Sequence, residues 1–404
     1  MTDPTRGVPE PGRGRARILA SLLLPLFFVV LFPLMFVSAT HAPTPHELPL
    51  LLGGPDQVVQ QIADGLDADD RFQVTQTDVP GEAQRAVEAR QVDGAVDVVL
   101  TADASGSTST AVTTYVAQAA GRAVASTVQA AGDGIASQLG VAATVVDVAP
   151  LSAEDPLGID LFYLLTFTTL GAYLVIIVLM QVMPQASLRT RFLAVTITAV
   201  AAPLIVFGLS SMFVGDYGVG FGTIAALLGV NALYVFTIGT AAILIEQLLG
   251  VSATFGVMAF IVFLNIPSAG GATPSALLPP FWQAVHSVYI GSGAFESFRS
   301  IVYFGGNGAS RWLLQLLAWT VGLILVNLVV HLASTVRSQR RTIQALADQS
   351  GTGAGDALDA PTHPRPSAPK HVGVESLTYD HGAPTTPDRD PQRSISAGRE
   401  GAHA

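Results

Sequence analysis

The chain has 404 residues, 50% of them hydrophobic and only 12% charged, with a mean hydropathy of +0.49. Soluble domains carry about 25% charged residues, so this is the composition of a multi-pass membrane protein. There is no cysteine, which excludes disulfides, Cys-ligated zinc, iron–sulfur clusters and thiol catalysis.

Lys370 is the single lysine among twenty basic residues, and His371 follows it. A phosphate-binding loop G-x-x-x-x-G-K-[ST] needs its lysine before Ser or Thr, so transport driven by ATP would need its nucleotide-binding part on another chain. The net charge of −10 is uneven: residues 1–17 carry +2, residues 40–159 carry −12, and 160–334 and 335–404 each balance. Acidity confined to one polar block argues against nucleic-acid binding, which needs basic patches.

The first apolar run, Ile18–Ala39, follows Arg13, Arg15 and Arg17 and contains Pro25 and Pro33. At about 22 residues it is longer than a secretory h-region and long enough to cross a ~30 Å hydrocarbon core. It reads as an uncleaved anchor, with cleavage after the small residues Val37-Ser38-Ala39 as the alternative. Residues 40–159 read as a small α/β domain. Alternation in Phe72-Gln73-Val74-Thr75 and the run Ala95–Leu100 predict strands, with a helix over Glu82–Gln91 between them. A long Ala-rich helix is expected from about Thr110 to Leu139, then a third strand over Ala143–Val148, giving a sheet with helices on one face.

Four further apolar segments follow, Asp160–Met183, Phe192–Val214, Gly220–Ile245 and Val251–Pro267, and a sixth span runs from Trp312 to Ser334. Val251–Pro267 is near the lower length limit for a span, and the topology requires it. Six spans put Arg13/Arg15/Arg17, Arg189/Arg191 and Arg337/Arg340/Arg341 all in the cytoplasm, as the positive-inside bias demands; Arg299 and Arg311 are exceptions. The layout is a cytoplasmic N-terminus (1–17), a first transmembrane helix (18–39), an extracytoplasmic α/β domain (40–159), a membrane domain of five helices (160–334), and a cytoplasmic tail (335–404). The tail from about Ser350 is rich in Pro, Gly, Ser, Thr and Asp and is expected to be disordered; Ser394 and Ser396 are its candidate phosphorylation sites.

Between Asp160 and Ser334 the acids are Asp160, Asp216, Glu246 and Glu296, and no mid-span carboxylate relay of the kind a proton pump needs is evident. Glu246 is expected to end the fourth span in a tight turn with Gln247, either reaching headgroup water or meeting a partner or proton. The segment 275–305 is too apolar for a free loop and is broken by Pro279-Pro280 and by Gly291 and Gly293, which fits a re-entrant hairpin. Within it Glu296 and Arg299 are three apart, share a helix face and can pair, either gating a pathway or neutralising each other. His41, His46 and Glu47 invite a metal reading, but Pro43 and Pro45 extend that segment and metal binding is disfavoured. His331 reads as a packed interfacial residue, and Asn231, Asn265 and Asn327 as hydrogen-bonded links between helices. The loop Pro184–Arg191 is the basic inner loop, a surface a cytoplasmic ATPase could push on or a plain topology signal. No nucleophile, acid/base pair or metal cluster sits at a credible membrane site, so no enzyme activity and no cofactor are expected.

Three stretches carry a resemblance: Glu82-Ala-Gln-Arg-Ala-Val-Glu-Ala-Arg-Gln-Val-Asp-Gly-Ala-Val-Asp-Val, a helix-then-strand pattern; Asp155-Pro156-Leu157-Gly158, a D-P-x-G lead-in; and Leu278-Pro279-Pro280-Phe281-Trp282 followed by Gly291–Gly293, Arg299 and Tyr303-Phe304-Gly305, an L-P-x-x-W … G … R … F-x-G run. In order and spacing, over about residues 15–336, the chain resembles the ABC type-2 exporter permeases, in the YhgE/phage-infection-protein-like branch. The resemblance implies six transmembrane helices with a re-entrant hairpin (275–305) before the last and an α/β domain between helices 1 and 2. It implies a homo- or heterodimeric permease in a bacterial cytoplasmic (inner) membrane, in contact with membrane lipid, exporting a lipid, peptide or other hydrophobic compound and powered by a separate cytoplasmic ABC ATPase. Gln185, Ser187, Arg189 and Arg191 would then form the ATPase-coupling loop, which is shorter here than in the family. The alternative is a non-transporting cell-envelope receptor or scaffold whose acidic outer domain binds a partner.

Overall fold

The computed structural model describes residues 11–41, 43–67, 70–102 and 108–356. The chain divides into two compact units, Met1–Arg340 and Arg341–Ala404; within the second, residues 341–356 are helical. Most of the tail expected to be disordered, and both of its candidate serines, lie outside the described residues.

After helix α1 (Pro11–Thr40) the polar block folds as a five-stranded sheet. Strand β1 (Leu48–Gly53) is followed by α2 (Asp56–Asp67), β2 (Phe72–Thr77), α3 (Glu82–Glu88), β3 (Gly94–Ala102), β4 (Thr108–Val116), α4 (Arg122–Gln138) and β5 (Ala143–Asp147). The strand order is β2-β1-β3-β4-β5; β1 pairs parallel with β2 and β3, β4 runs antiparallel to β3, and β5 is parallel to β4. β1 is apolar at almost every position because parallel strands flank it and both its faces are covered.

Right-handed crossovers fix where the helices go. α2 and α3 connect strands in opposite directions across the sheet, so they must lie on opposite faces, and the reversal at β4 returns α4 to the face of α2. The packing agrees: Leu48, Leu50 and Leu52 meet Val59 and Ile62 of α2 and Val124 and Val128 of α4, whereas Leu51 and Ala95 meet Ala83, Ala86 and Val87 of α3. Two expectations are corrected here. The sheet has helices on both faces, and the Ala-rich helix begins at Arg122, not near Thr110. Thr108–Val116 is instead a strand, because its Thr and Val residues are β-branched and suit a pleated strand.

The remaining elements are α5 (Asp160–Val182), α6 (Leu188–Val214), α7 (Phe221–Leu249), α8 (Ala253–Ser268, π-helical over Met258–Leu264), α9 (Pro280–Val288), α10 (Ile290–Tyr303) and α11 (Ala309–Asp356). Five helices are long and apolar enough to cross a membrane: Leu22–Thr40 of α1, then α5, α6, α7 and Ala309–Gln344 of α11. α8 is a shorter apolar helix. In α7 56% of the apolar window is buried and in α5 50%, against 17% in α6 and 6% in α1. α5 and α7 are therefore the interior of the bundle. The exposed faces of the others, with Leu204, Met212 and Phe213 on α6, are large apolar surfaces that suit a lipid environment and not water. The chain is a membrane protein with a small α/β sheet region.

α7 is the least apolar of the five by mean hydropathy, 1.9, because it carries the hydrogen bonds that join its neighbours. Thr168 donates to Asn231 (3.0 Å), Tyr234 shares a 2.5 Å bond with Thr169, and Asn265 donates to the Tyr234 hydroxyl (2.8 Å). Further along, Thr237 meets Thr320 and Asn327 donates to the Thr240 carbonyl (3.1 Å) while accepting from Gln247 (2.6 Å). The three asparagines thus link helices, as polar side chains in apolar surroundings do. Tyr234 itself is wholly buried between α5 and α8.

α7 runs on through Glu246 and Gln247 to Leu249, and the turn comes at Gly250 (φ 54), three residues later than the expected turn. His331 is exposed on α11, not packed as expected. The D-P-x-G lead-in has a local cause: the Asp155 carboxylate accepts the Ile159 and Asp160 N–H groups (3.1 and 3.0 Å) at the start of α5, and Gly158 takes the left-handed turn (φ 65). Asp160 in turn accepts from Ser210 of α6 and from Tyr217, tying α5 to the α6–α7 connection.

Candidate functional site

The sheet region is seated on the segment between α8 and α11. Leu277 inserts into the core on the α2/α4 face of the sheet, and Phe304 joins the core on the α3 face. Asn307 donates to the Glu88 carbonyl (3.1 Å). On the other side of the same segment, Pro279-Pro280 opens α9 and places Trp282, 3% exposed, against Leu278 and Ala39, with its indole N–H donating to Ser38 of α1 (3.2 Å). The L-P-x-x-W stretch is therefore a packing joint between α1 and α9.

α10 is buried along nearly its whole length. The expected pair forms: Arg299 Nη1 lies 2.7 Å from Glu296 Oε1, and Arg299 Nη2 donates to the Gly270 carbonyl (3.3 Å). Gly270 has φ 85, and a Cβ there would sit 2.9 Å from the His286 ring, so only glycine turns the chain at this point without displacing the site. Gly291 serves a similar purpose at the start of α10, where a Cβ would meet the Asn265 carbonyl oxygen at 2.8 Å.

A third partner was not visible in the pattern. Arg90, just past α3 and itself at φ 60, reaches the other carboxylate oxygen of Glu296 at 2.5 Å and also donates to the Glu296 carbonyl (3.1 Å) and to Ser300 Oγ (2.6 Å). Its guanidinium lies over the Phe304 ring at 4.9 Å, as that of Arg299 lies over Phe295 at 4.5 Å. His286 stands 4.0 Å from Glu296 Oε1 and is held through Nδ1 by the Ser268 carbonyl (2.8 Å). Glu296, 2% exposed, is thus clamped by one guanidinium from its own helix and one from the sheet region. The sequence offered one oblique signal: a region with sixteen acids and four arginines has little cation to spare, yet Arg90 makes its ion pair with Glu296, outside that region.

Asp93 lies beside this clamp in the sheet region. Burial pushes its carboxyl up to about 6, opposed by the positive charge of Arg90 and reinforced by the negative charge of Glu296. A cavity of about 310 Å³ opens here, lined by Arg90, Asp93, Glu296, Phe304, Arg311 and Trp312 among others.

At the far end of α5, roughly 35 Å away by helix rise, lies the turn before α6. Ser187 caps α6, its hydroxyl accepting from the Thr190 N–H (3.2 Å). Arg191 is ion-paired with Glu246 of α7 and donates to the Ala186 carbonyl (3.2 Å). Gln185 and Arg189 are exposed. Of the four predicted loop residues only Gln185 and Ser187 precede the helix: α6 begins at Leu188, earlier than expected because Ser187 caps it, so Arg189 and Arg191 lie on its first turn, Gln185 and Arg189 facing outward and Arg191 locking the helix start to α7. Glu246, read from sequence as an end-of-span residue, is one half of that lock.

His41 and His46 each turn Nδ1 to a backbone carbonyl of their own segment, Ser38 (3.1 Å) and Thr44 (2.7 Å). Among the described residues no group of three or more His, Asp or Glu is placed to hold a metal ion. Comparison of the chain with known protein families, with curated proteins and with solved structures gives no match.

Proposed function

We propose that the chain is the permease subunit of an exporter that moves a lipid, peptide or other hydrophobic compound across a bacterial cytoplasmic membrane, powered by an ABC-type ATPase on a separate cytoplasmic chain. In this reading α8 is a sixth, short crossing. Glu246 of α7 is at the Arg191 end of the bundle, whereas Ser268 and Gly270 contact the His286/Arg299 end, so residues 250–268 must return across the bundle's thickness. The sheet region is then extracytoplasmic, α9 and α10 form a re-entrant hairpin, and both termini are cytoplasmic, on the side of Arg189, Arg191, Arg337, Arg340 and Arg341.

One observation carries the reading. The basic start of α6, with Arg189 exposed, is locked by Arg191–Glu246 to α7, α7 packs against α5, α6 and α10, and α10 holds the carboxylate that Arg90 of the sheet region grips. A push on this helix start at one face of the membrane has a continuous, well-packed route to the outer region at the other. The protein would work as a dimer, with lipid or a second copy covering the exposed faces of α6 and α11.

The test is affinity purification of the full-length protein from native membranes, beside Arg189→Glu, with co-purifying proteins identified by mass spectrometry. Arg189 is chosen because it is exposed, whereas a change at Arg191 would also break its pair with Glu246. An ABC-type ATPase retained by the wild type and lost from Arg189→Glu is the expected result. A folded wild-type preparation that carries no such ATPase overturns the exporter reading in favour of an envelope receptor or scaffold acting through the acidic outer region.

A further inference from the structure

The cavity between the sheet region and α11 has a charge pattern that the Glu296 clamp does not use up. Glu296 is satisfied by Arg90 and Arg299. Two opposite charges remain on the cavity wall, Asp93 from the sheet region and Arg311 from α11. Among the described residues the Asp93 carboxylate receives no hydrogen bond, and Arg311 has no carboxylate partner and lies only over the Trp312 ring, 4.8 Å from its centroid. Nor do the two form an ion pair with each other. The positive charges of Arg90 and Arg299 act on Asp93 from beside it, but neither guanidinium donates to its carboxylate, whose oxygens are left to a hydrogen-bond donor from the cavity.

The other end of the cavity suits an anion. Ser310, Arg311 and Trp312 belong to the first turn of α11 and line the cavity. N–H groups in a first helical turn have no intrahelical acceptor, and the helix dipole adds partial positive charge there. Trp312 begins the apolar part of α11, the position at which tryptophan marks the boundary between hydrocarbon and headgroups. About 310 Å³ holds a small polar group and excludes an acyl chain, which would lie along the exposed side of α11.

We propose that this cavity binds a group carrying a phosphate and a primary ammonium together, the phosphate at Arg311 and the α11 N-terminus, the ammonium at Asp93. Such a group is the headgroup of an aminophospholipid or a free phosphorylated amine. The assignment is independent of whether an ATPase drives the protein.

Native mass spectrometry of the full-length protein in detergent, titrated at pH 7.5 with phosphatidylethanolamine, phosphatidylglycerol or O-phosphoethanolamine, tests it. The wild type should prefer phosphatidylethanolamine over phosphatidylglycerol by about tenfold, the ratio a single charge-assisted contact gives. Asp93→Asn should abolish that preference by weakening only the amine-bearing lipid, and Arg311→Gln, at an exposed position where folding is not at stake, should weaken both lipids. Competition by O-phosphoethanolamine would identify a free phosphorylated amine as sufficient; its failure to compete, with the lipid preference intact, would identify the membrane lipid as the source. Equal binding of both lipids by the wild type, or a preference unchanged in Asp93→Asn and Arg311→Gln, overturns the proposal.

Discussion

Arg90 and Glu296 lie 206 positions apart in the chain and meet in a 2.5 Å ion pair that is the charged core of the contact between the sheet region and α10. Because Arg299 holds the other carboxylate oxygen, the two guanidiniums share one counter-charge. Removing Glu296 and removing Arg90 are therefore not equivalent. Glu296→Gln strands two buried or half-buried cations and should cost about 3–5 kcal/mol, as the loss of one member of a buried ion pair does. Arg90→Met keeps the Arg299–Glu296 pair and should cost about 2 kcal/mol or less. Thermal unfolding in detergent should rank them in that order, and hydrogen exchange in Arg90→Met should rise in residues 82–93 and 296–304 together.

The spans in α1, α5, α6, α7 and α11 were legible because each is a long apolar run, and Glu296–Arg299 because three residues on a helix define a shared face. Arg90 was not legible: periodicity reports which face a residue occupies, not which distant element will cover it. β1 was hidden for a related reason, since a strand buried on both faces shows no alternation and its five apolar residues follow closely on an apolar anchor. Alanine content drew the expected helix back to Thr110, although Thr108–Val116 is rich in β-branched residues. At the start of α6, basic character marked the position, but nothing local told Arg191, paired with Glu246, from Arg189, which is exposed.

That distinction can be measured. Arg191→Glu places two carboxylates where an ion pair stood, with the Arg191 and Glu246 side chains only 13% and 10% exposed, and should destabilise the α6–α7 contact by about 2–4 kcal/mol. The exchanged pair Arg191→Glu/Glu246→Arg should recover at least half of the loss. Arg189→Glu should change stability by less than about 0.5 kcal/mol. Denaturation of the wild type, Arg191→Glu, Glu246→Arg and the exchanged double variant under one detergent condition gives the coupling directly; a double variant no better than Arg191→Glu would mean that the pair contributes nothing.

Tyr234 links three helices through one hydroxyl, bonded to Thr169 on α5 and Asn265 on α8. Tyr234→Phe keeps the ring, which fills its site completely, and removes only the oxygen. Intramembrane side-chain hydrogen bonds are worth about 0.6 kcal/mol on average and up to about 1.7. Two are lost here, and the Asn265 amide, whose Oδ1 already has no partner, is left with none at either end. The variant should lose about 1–2 kcal/mol in thermal or steric-trapping measurements, and Thr169→Val, which gives up the bond to Tyr234 and one within α5 to the Leu165 carbonyl but leaves Asn265 paired with Tyr234, should lose less.

The pH dependence of the sheet region should follow Asp93. Its carboxyl is raised in the folded protein from the ordinary 3.8 to about 6, chiefly by burial and despite the positive charge of Arg90. The folded state therefore binds the proton more tightly than the unfolded chain. The stabilisation from the protonated form is fully present below about pH 4, is lost as pH rises through about 6, and does not change further above that. At 1.36 kcal/mol per unit the whole effect is at most about 3 kcal/mol. Asp93→Asn removes the titration, so the variant should be more stable than the wild type at pH 7.5 and differ least from it near pH 4.5. Thermal unfolding of the full-length protein and Asp93→Asn across that interval checks the sign: a wild type that gains stability relative to the variant as pH rises would mean that a cation from the surroundings, and not the proton, neutralises this carboxylate.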